Sequence, residues 1–532
     1  MSTTSQLSYA ATGAFSGLVL DYINQASALT EFYGRPPTLA AFGEQIAEKK
    51  ASYDTASRQR LVAALRDQYL SVGAPPPRVA ASIQLLERDT TFSVTTGHQL
   101  ALFTGPLYFV YKIISAIRLC RDLKAAHPEN DFVPVFWLAS EDHDFAEINH
   151  FHLFGKKYEW QAESPGGPVG RLPLTGLEAQ VLSQLPAEVP AAFLAAYRES
   201  KTLGEATRRL VNALFGEYGL VCLDADRADL KQALVPVLER EILTQTSNHA
   251  VQATNVRLEA AGYRPQVYSR PLNLFFLTET GQRERLEPDA AGLDCVKITV
   301  RGTGQCHTQP ELLALARQHP ARFSPNVVLR PVYQELLLPN VCYIGGGAEV
   351  AYWGQLKDVF AANEVVFPMV LLRNSALYLS RANAAKLRKL GLETADLFKP
   401  LPELKKRVGT LLGQEEVSLS EAQAQLQAAF DQVAALAQRL DPTLVKAVAA
   451  EAQKAAAAVA GLEKRLSRAA EARHETAYAQ LTALHAKLFP DGGLQERTDS
   501  VLSILINNPA FLAQLLEAFA PLALTFTVLE EA

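Results

Sequence analysis

The sequence predicts an α/β protein with a mostly parallel sheet and an added α-helical arm. Two observations lead to this class. First, short apolar runs alternate with helix-like segments over about 370 residues, which is typical of βαβ units. Second, residues 413–488 contain one proline and one internal glycine and are rich in Ala, Glu, Gln, Lys and Leu, which indicates long helices.

Length and composition describe an ordinary soluble globular protein. The 532 residues are too many for one compact core, so two or three domains are expected. A net charge of −5 gives no general affinity for nucleic acid. The five cysteines show no paired spacing, which favours reduced thiols and a cytoplasmic location. No secretory signal opens the chain and no apolar run approaches the roughly 20 residues that span a bilayer, so no membrane partner is expected.

The predicted sheet centres on a stretch that contains two strands and two polar turns. The first strand breaks into the turn 96–99, and a second glycine turn precedes a helix over residues 107–123. The second strand, 132–138, ends in the acidic turn 141–144. Because ligands bind at the carboxyl ends of strands in an open parallel sheet, both turns are expected to face one crevice.

The turns before the helix have the layout of a phosphate site. Their residues are Gly97, His98, Gln99, Gly105 and Pro106. Backbone N–H groups at a helix start point at an anion, and glycine lets the anion approach. Neither a Walker A ending nor a dinucleotide fingerprint is present. Lys112 on the helix would reach a phosphate. The alternatives are glycines that only form turns and a lysine that only meets solvent.

The acidic turn holds three acids and one imidazole in Glu141-Asp142-His143-Asp144, with His150 shortly after. Such a cluster would bind Mg²⁺ or Zn²⁺, or supply a general base. Zinc ligands must converge on one point, whereas adjacent residues at a strand end alternate in direction, so the spacing does not support zinc. The alternative is a capping turn for the next element.

A third polar region lies further along the chain. It combines Gly345, Gly346 and Gly347 with Glu349 and Trp353, and it follows a polar group of Arg330, Gln334 and Glu335. Successive glycines beside an aromatic ring are typical of backbone that passes close to a ligand. The alternative is a turn before a helix that core aromatic residues anchor. The polar group would contact a carboxylate or phosphate, or would occupy exposed strand positions.

The helical arm carries a heptad seam, in which apolar residues recur every four and three positions. The seam consists of Val448, Ala452, Ala455, Val459, Leu462, Leu466 and Ala469. A similar stripe ends at Leu440, and Pro442 separates the two, which predicts an antiparallel helical hairpin or a single kinked helix. Small seam residues suit a dimer contact. An intramolecular hairpin or a solvated arm remains the alternative. Residues 522–529 are predicted to form a strand that returns to the core.

Local patterns predict three further elements. Residues 151–160 are expected to form a hairpin that turns at Gly155, residues 229–262 a mostly continuous helix, and residues 265–278 a strand.

Together these strings resemble the bacillithiol biosynthesis cysteine-adding enzyme family, BshC. The strings follow in order through nearly the whole chain: Thr96–Gln99, Phe103–Tyr108, Tyr111-Lys112, Pro134–Asp144, Asn149-His150, Arg330-Pro331, Gln334-Glu335, Ile344–Gly346, Glu349, Ala351–Trp353 and Gly493–Arg497. The chain departs from the family at Gly347-Ala348, where Pro-Gly is expected. It also departs at His98, where many relatives have a glutamine.

The resemblance implies a Rossmann-like core of the nucleotidyltransferase type over residues 1–395. It also implies a coiled-coil dimerisation arm over 396–500 and a segment, 501–532, that returns to the core. The implied activity is ligation of L-cysteine to glucosaminyl-malate in the last step of bacillithiol biosynthesis. A free carboxylate is a poor acyl donor, so ATP with Mg²⁺ is the expected cofactor. The alternative is a nucleotide- or sugar-binding protein of this fold without ligase activity, or a different transferase.

The resemblance also implies roles for the polar residues. The catalytic group would be His98, Asp142, His143 and Asp144. The cofactor would be held by Gly97, Gln99, Gly105, Pro106, Lys112, Gly345, Gly346, Glu349 and Trp353. The substrates would be bound by Glu141, His150, Arg330, Gln334 and Glu335. No Lys-Met-Ser-Lys-Ser motif is visible, so the analogy with aminoacyl-tRNA synthetases covers only part of the expected ATP site.

Overall fold

The computed structural model describes residues 3–163, 165–289, 297–413 and 417–531. The chain forms two compact units: residues 2–377 with 493–529, and residues 378–492 with 530–532. The domain limits at 395 and 500 stay predictions. In chain order the strands are β1 (Thr3–Ser8), β2 (Thr91–His98), β3 (Asp131–Leu138), β4 (His150–Leu153), β5 (Lys156–Glu159), β6 (Val221–Asp224), β7 (Leu274–Leu277), β8 (Arg283–Asp289), β9 (Lys297–Val300), β10 (Cys306–Thr308), β11 (Phe323–Pro325), β12 (Asn340–Gly345), β13 (Met369–Leu372), β14 (Ser375–Leu379) and β15 (Thr525–Glu530).

The centre of the first unit is a parallel sheet with the order β13-β12-β2-β3-β6. Read from β6 and renumbered within the sheet, this order is 3-2-1-4-5, the arrangement of a Rossmann sheet. The predicted fold class is therefore confirmed. The sheet register pairs Thr91 with Asp131 and His98 with Leu138, so β2 and β3 begin and end together.

Helices cover the sheet, which is why its strands are nearly continuous apolar runs. The longer helices of this unit are Leu39–Ser52, Thr55–Leu70, Pro77–Leu85, Tyr108–Ala126, Ala191–Arg198, Leu203–Phe215, Val235–Thr244, Thr246–Ala260, Gln309–Gln318, Arg330–Leu337 and Phe511–Ala518. The shorter ones are Gly17–Ile23, Phe145–Ile148, Leu177–Gln180, Ala228–Lys231, Gly347–Trp353, Lys357–Ala362 and Leu502–Leu505. Among the described residues, no helix is both long and apolar enough to cross a membrane.

One face of the sheet carries a core cluster that joins β2, β12 and β13 to two helices. Phe92 and Val94 on β2 point into it, as do Ile344 on β12 and Leu371 on β13. These side chains are fully buried, and each such burial stabilises the fold by about 1.5–3 kcal/mol. The alternation along β2 follows from the two-residue repeat of a strand.

Two predicted elements differ from the structure. The strand expected over residues 265–278 is confined to β7, because the side chain of Asn273 binds the local backbone instead of continuing a ladder. The helix expected over residues 229–262 is divided into pieces. It breaks at Gln245, which has a φ of +50°, and the buried carboxylate of Glu241 accepts the N–H and hydroxyl of Ser247 after the break.

Three smaller sheets complete the first unit. An antiparallel sheet has the order β10-β9-β8-β7-β11, and β4 pairs with β5 in the predicted hairpin. A third sheet has the order β1-β15-β14 and includes the predicted C-terminal strand, which is therefore confirmed. The chain leaves this unit along β14.

The second unit contains the helical arm. Its helices are Arg381–Lys389, Leu401–Leu411, Ser420–Leu440, Val445–Ala472 and Glu475–Leu488. The backbone N–H of Leu419 and the side chain of Gln423 both donate to the carboxylate of Glu463, over 3.4 and 3.1 Å. The start of one long helix thus lies beside the far part of the other. The antiparallel hairpin is confirmed, and the single kinked helix is excluded.

Candidate active site

The strand order reverses between β2 and β12, and this is the switch point of the sheet. His98 ends β2 and Gly345 ends β12. Ligands of open α/β sheets bind in the crevice outside the carboxyl ends of the strands at such a point. The structure therefore brings the first and third predicted regions together. The acidic turn follows β3, the next strand of the same edge.

A buried ion pair crosses the switch point. Lys112 pairs with Glu349 and donates to the carbonyl oxygen of Gly97 over 2.8 Å. Glu349 also accepts from the N–H of Gly346 and the hydroxyl of Tyr343, over 2.8 and 2.6 Å. Burial lowers the pKa of Lys112, and Glu349 opposes that shift. Burial acts to raise the pKa of Glu349, but Lys112 holds it below its usual value. The two side chains are therefore a charged pair.

Arg330 lies beside this pair with one donor unused. Its guanidinium is 5.7 Å from the ring centres of both Trp137 and Tyr343, and its Nη1 donates to Gln334 over 3.0 Å. The Nη2 is buried and has no hydrogen-bond partner among the described residues. An unsatisfied buried donor costs about 1–3 kcal/mol, so this position suits an incoming acceptor.

Arg373, which directly follows β13, repeats this pattern. Its Nη2 pairs with the buried carboxylate of Glu496 over 2.6 Å, and the guanidinium lies 5.3 Å from the ring centre of Tyr108. The Nε is buried and lacks a partner within the described residues. It lies 3.8 Å from the position that a Cβ would take on Gly346. Two unused guanidinium donors thus flank the switch point, which fits a carboxylate or phosphate group.

His98 is a neutral acceptor at this edge. Its Nδ1 lies 2.8 Å from the carbonyl oxygen of Gln99. A carbonyl oxygen only accepts hydrogen bonds, so Nδ1 carries the proton and Nε2 keeps its lone pair. Burial and then the neighbouring Lys112 lower the pKa of His98 to about 4. The ring packs against Tyr108 and Phe109, which orient it.

The glycine turn before the helix Tyr108–Ala126 is held by the C-terminal part of the same unit. Gly105 has a φ of +57° and a ψ of −135°, a conformation close to the glycine-only region. Pro106 pairs with Ser500, and the N–H of Leu107 donates to the carbonyl oxygen of Asp499 over 2.7 Å. One of the N–H groups expected to face a phosphate is therefore already occupied by protein.

The acidic turn is tied to the end of β2 by one amide. Gln99 donates to Asp142 over 2.8 Å and to Glu147 over 2.6 Å. Burial acts to raise the pKa of Asp142, but the adjacent His143, whose backbone N–H donates to it, and the hydrogen bond from Gln99 hold that pKa below its usual value. Asp144 accepts from the N–H of Glu147 over 3.3 Å and caps the short helix that follows. This cap is the alternative that the sequence left open.

Three basic residues that the sequence analysis missed lie near the carboxyl ends of β3 and β6, and two of them contact the acidic turn. Lys231 pairs with Glu141, and Arg283 lies 2.9 Å from Nδ1 of His143. Arg171 pairs with Asp226, which follows β6. Each pair joins segments that are distant in sequence, so no local pattern indicated these contacts. Within the described ranges, no three His, Cys, Asp or Glu side chains are grouped closely enough to hold a metal ion.

Four predicted site residues lie apart from the crevice. Trp353 is fully buried and stacks on Tyr343 at 4.5 Å, as the core alternative predicted. Gln334 is also fully buried, and its side-chain oxygen accepts a hydrogen bond from Arg330. Glu335 pairs with Lys49 over 3.0 Å and accepts from Asn340 at the amino end of β12. His150 lies on the hairpin strand β4 beside Asn149.

The fold and the site together define a class: a Rossmann-like α/β protein with a cation-lined crevice at its switch point and a helical arm. Comparison with known proteins places the chain within that class. Residues 1–374 match the family described as "Bacillithiol biosynthesis BshC, N-terminal Rossmann-like domain". Residues 376–531 match its C-terminal coiled-coil domain. The chain belongs to the BshC family.

Relatives of similar length support this assignment. A protein of Flavobacterium johnsoniae is 40% identical over 99% of both chains, and one of Christiangramia forsetii is 39% identical over 99% of both. A protein of Cytophaga hutchinsonii is 38% identical over 95% of both. All three carry the name "Putative cysteine ligase BshC".

Proposed function

We propose that this protein is a cysteine ligase of bacillithiol biosynthesis, which joins the carboxyl group of L-cysteine to the amine of glucosaminyl-malate. Membership of the BshC family and the names of its relatives support this activity. The observation that carries the proposal is the switch-point crevice, where buried guanidinium donors of Arg330 and Arg373 remain without partners among the described residues.

The chemistry of the crevice suits both substrates. Cysteine and glucosaminyl-malate both carry carboxylates, which the free N–H groups of Arg330 and Arg373 would bind. Both also carry an amine, which would donate to the Nε2 of neutral His98 or to the ionised carboxylate of Asp142. Opposite charges on adjacent strand ends would therefore orient an amino acid along the edge of the sheet.

ATP with Mg²⁺ is the proposed activator, since a phosphoryl or adenylyl group transferred from ATP to the cysteine carboxylate would leave as phosphate or AMP when the amine attacks. The unused donors beside Gly346 fit a phosphate as well as a carboxylate. Arg330 and Arg373 would hold the phosphates, and the absence of side chains at Gly345 and Gly346 would let the phosphates approach. The ammonium group of Lys112 would add positive charge near the phosphates, and its contacts with Glu349 and the carbonyl oxygen of Gly97 would keep it in place. A cytoplasmic location follows from the use of ATP and a thiol substrate.

The test is a ligation assay on the purified full chain with cysteine, glucosaminyl-malate, ATP and Mg²⁺, in which mass spectrometry follows the amide product. Arg330→Met and Arg373→Met should each lower kcat/KM by about 10- to 100-fold, because each removes a charged hydrogen bond. Arg121→Met is the matched control, since Arg121 also lies over an aromatic ring, that of Tyr218, but outside the crevice.

The second candidate is a nucleotide- or sugar-binding protein of this fold without ligase activity. The same unused donors favour it, because they would bind a phosphate whether or not chemistry follows. Isothermal titration with ATP, in the presence and absence of cysteine, separates the two candidates. Nucleotide binding that ignores cysteine, together with no amide product, would support the second candidate over the ligase.

We also propose that the arm pairs two copies of the chain. Leucine and valine side chains stay about half exposed or more on the hairpin: Val433, Leu436, Leu440, Leu444, Leu462 and Leu466. Covering them with a second hairpin would remove this apolar surface from water. Light scattering after gel filtration should give a dimer for the wild type and a monomer for Leu436→Glu with Leu440→Glu. Gln438→Glu, on the opposite face, should remain dimeric.

A further inference from the structure

Arg283 reaches the acidic turn from the antiparallel sheet and is fixed there on several sides. Its guanidinium carbon lies 3.8 Å from the ring centre of Phe275. Its Nε donates to the hydroxyl of Ser324 and its Nη2 to the carbonyl oxygen of Pro325, both over 3.0 Å. The remaining terminal nitrogen, Nη1, lies 2.9 Å from Nδ1 of His143. The arginine is therefore a rigid donor aimed at one ring nitrogen.

This contact decides which nitrogen of His143 carries the proton. A guanidinium only donates hydrogen bonds, so Nδ1 must accept with its lone pair. The competing partner is the Oδ1 of Asp142, which lies 3.6 Å from Nδ1, too far for a hydrogen bond. That oxygen already accepts the backbone N–H of His143 over 2.8 Å. The proton of the neutral ring is therefore on Nε2.

The Nε2–H group is available to a ligand. The His143 side chain is 39% exposed, and in the described part of the chain Nε2 has no hydrogen-bond partner. His143 follows Asp142, which Gln99 ties to the end of β2, so the ring lies at the carboxyl edge of the sheet. The ring of Phe275 packs beside the His143 ring, with 5.2 Å between the two ring centres, and limits rotation of the His143 side chain.

We propose that Arg283 is a positioning residue that holds His143 as a hydrogen-bond donor to a carboxyl or carbonyl oxygen of the substrate. The proposal rests on the proposed ligase function and adds a role within it. His98 and His143 then have complementary tasks. His98 offers a lone pair on Nε2, which suits an amine, whereas His143 offers an N–H, which suits an oxygen.

The tautomer is measured directly by ¹⁵N NMR of the full-length protein with labelled histidine, without any substrate. His143→Gln identifies the resonances by their disappearance. At neutral pH the wild type should show an unprotonated Nδ1 and a protonated Nε2 for His143. A protonated Nδ1 in the wild type would overturn the proposal, and this result does not depend on whether the protein is a ligase.

Variants of the arginine test the cause. Arg283→Met should release His143 into a mixture of tautomers and lower kcat/KM by about 10- to 100-fold. Arg283→Lys keeps a charged donor and should preserve the wild-type tautomer and most activity. Arg322→Met is the matched control, since Arg322 also lies over a phenylalanine ring, 4.4 Å from that of Phe276, without contact to His143.

Coupling between the two residues provides the last criterion. If Arg283 acts through His143, the double variant Arg283→Met with His143→Gln should be no less active than His143→Gln alone. Additive losses would show that Arg283 acts independently and would refute the positioning role. An unchanged tautomer in folded Arg283→Met would refute it as well. The wild-type spectrum tests the tautomer without any Arg283 variant, so the proposal can be refuted even if Arg283→Met does not fold.

Discussion

His98 illustrates how one side chain takes its properties from packing at the end of a strand. Its ring is mostly enclosed between Tyr108 and Phe109, and its pKa is lowered to about 4 by burial and by Lys112. A histidine on the surface titrates near pH 6.5. The residue type alone therefore suggested a group that changes charge near neutrality, whereas the folded protein holds it neutral there.

This shift predicts how stability depends on pH. Between about pH 6.5 and pH 4 the unfolded chain binds a proton at His98 that the folded chain does not, so stability falls as the pH falls. The contribution is fully present above pH 6.5 and is lost through pH 4, by about 3 kcal/mol. Urea unfolding of His98→Gln should show a shallower decline across this window. Curves that stay parallel to the wild type would contradict the shift.

Gly105 gives a second prediction at the residue scale. A Cβ at this position would lie 2.7 Å from that of Ala101, in addition to the strain of a φ of +57°. Gly105→Ala should lose more than the roughly 1–2 kcal/mol that a left-handed conformation costs an L-residue. Gly155→Ala, with a φ of +81° and open space around it, should lose only that strain. Equal losses in urea unfolding would show that the clash relaxes.

At the element scale, Asp144 tests whether a polar residue at a strand end serves the fold or the chemistry. Its carboxylate caps the helix Phe145–Ile148. Because asparagine caps as well as aspartate, Asp144→Asn should keep wild-type stability, while Asp144→Ala should lose about 1 kcal/mol. Thermal unfolding measures both. A large fall in ligation by stable Asp144→Asn would assign the charge to catalysis, as the family resemblance implies.

The helix Val445–Ala472 of the arm shows, at the same scale, that the predicted heptad seam does not stay on one face of a straight helix. Val448, Ala452, Ala455 and Val459 of the predicted seam are partly buried, but Leu462 and Leu466 are about half exposed. A straight helix has 3.6 residues per turn, so a 3.5-residue repeat drifts around its surface. The partly buried stripe accordingly moves on to Glu463, Ser467 and Ala470.

At the scale of the whole molecule, the segment that follows the arm is bound to the sheet by a buried charge. Glu496 accepts from Arg373 and from the N–H of Ala376, over 2.6 and 3.0 Å. Glu496→Gln should destabilise the protein by about 3–5 kcal/mol, because it leaves the guanidinium buried without its counter-charge. Guanidinium chloride unfolding gives the value.

The control for this prediction is an exposed pair of the same chemistry. Glu178 contacts Arg198 over 2.7 Å, but about half of each side chain is exposed. Glu178→Gln should therefore leave the free energy of unfolding close to that of the wild type. If both variants lose the same amount, burial is not the source of the stability of the Arg373–Glu496 pair.

The predictable part of the fold follows from patterns that are local in sequence. Strands β2 and β3 and the helix between them were predicted because a sheet buried on both faces leaves continuous apolar runs. The arm was predicted from its helical repeat. The errors at residues 229–278 have the opposite origin, since a buried carboxylate, Glu241, binds a serine and an asparagine there and breaks the local pattern.

The sequence by itself determined the α/β class with a mostly parallel sheet, the long helices of the arm and the polar turns at the ends of β2 and β3. Tertiary structure alone decided how the site is charged. Arg283 meets His143 across 140 positions, and Arg373 meets Glu496 across 123. The tertiary structure also places Trp353 in the core, where it stacks on Tyr343. The physical reason is that periodicity records which side chains leave water, whereas the partner of a buried charge depends on which distant segments the fold brings together.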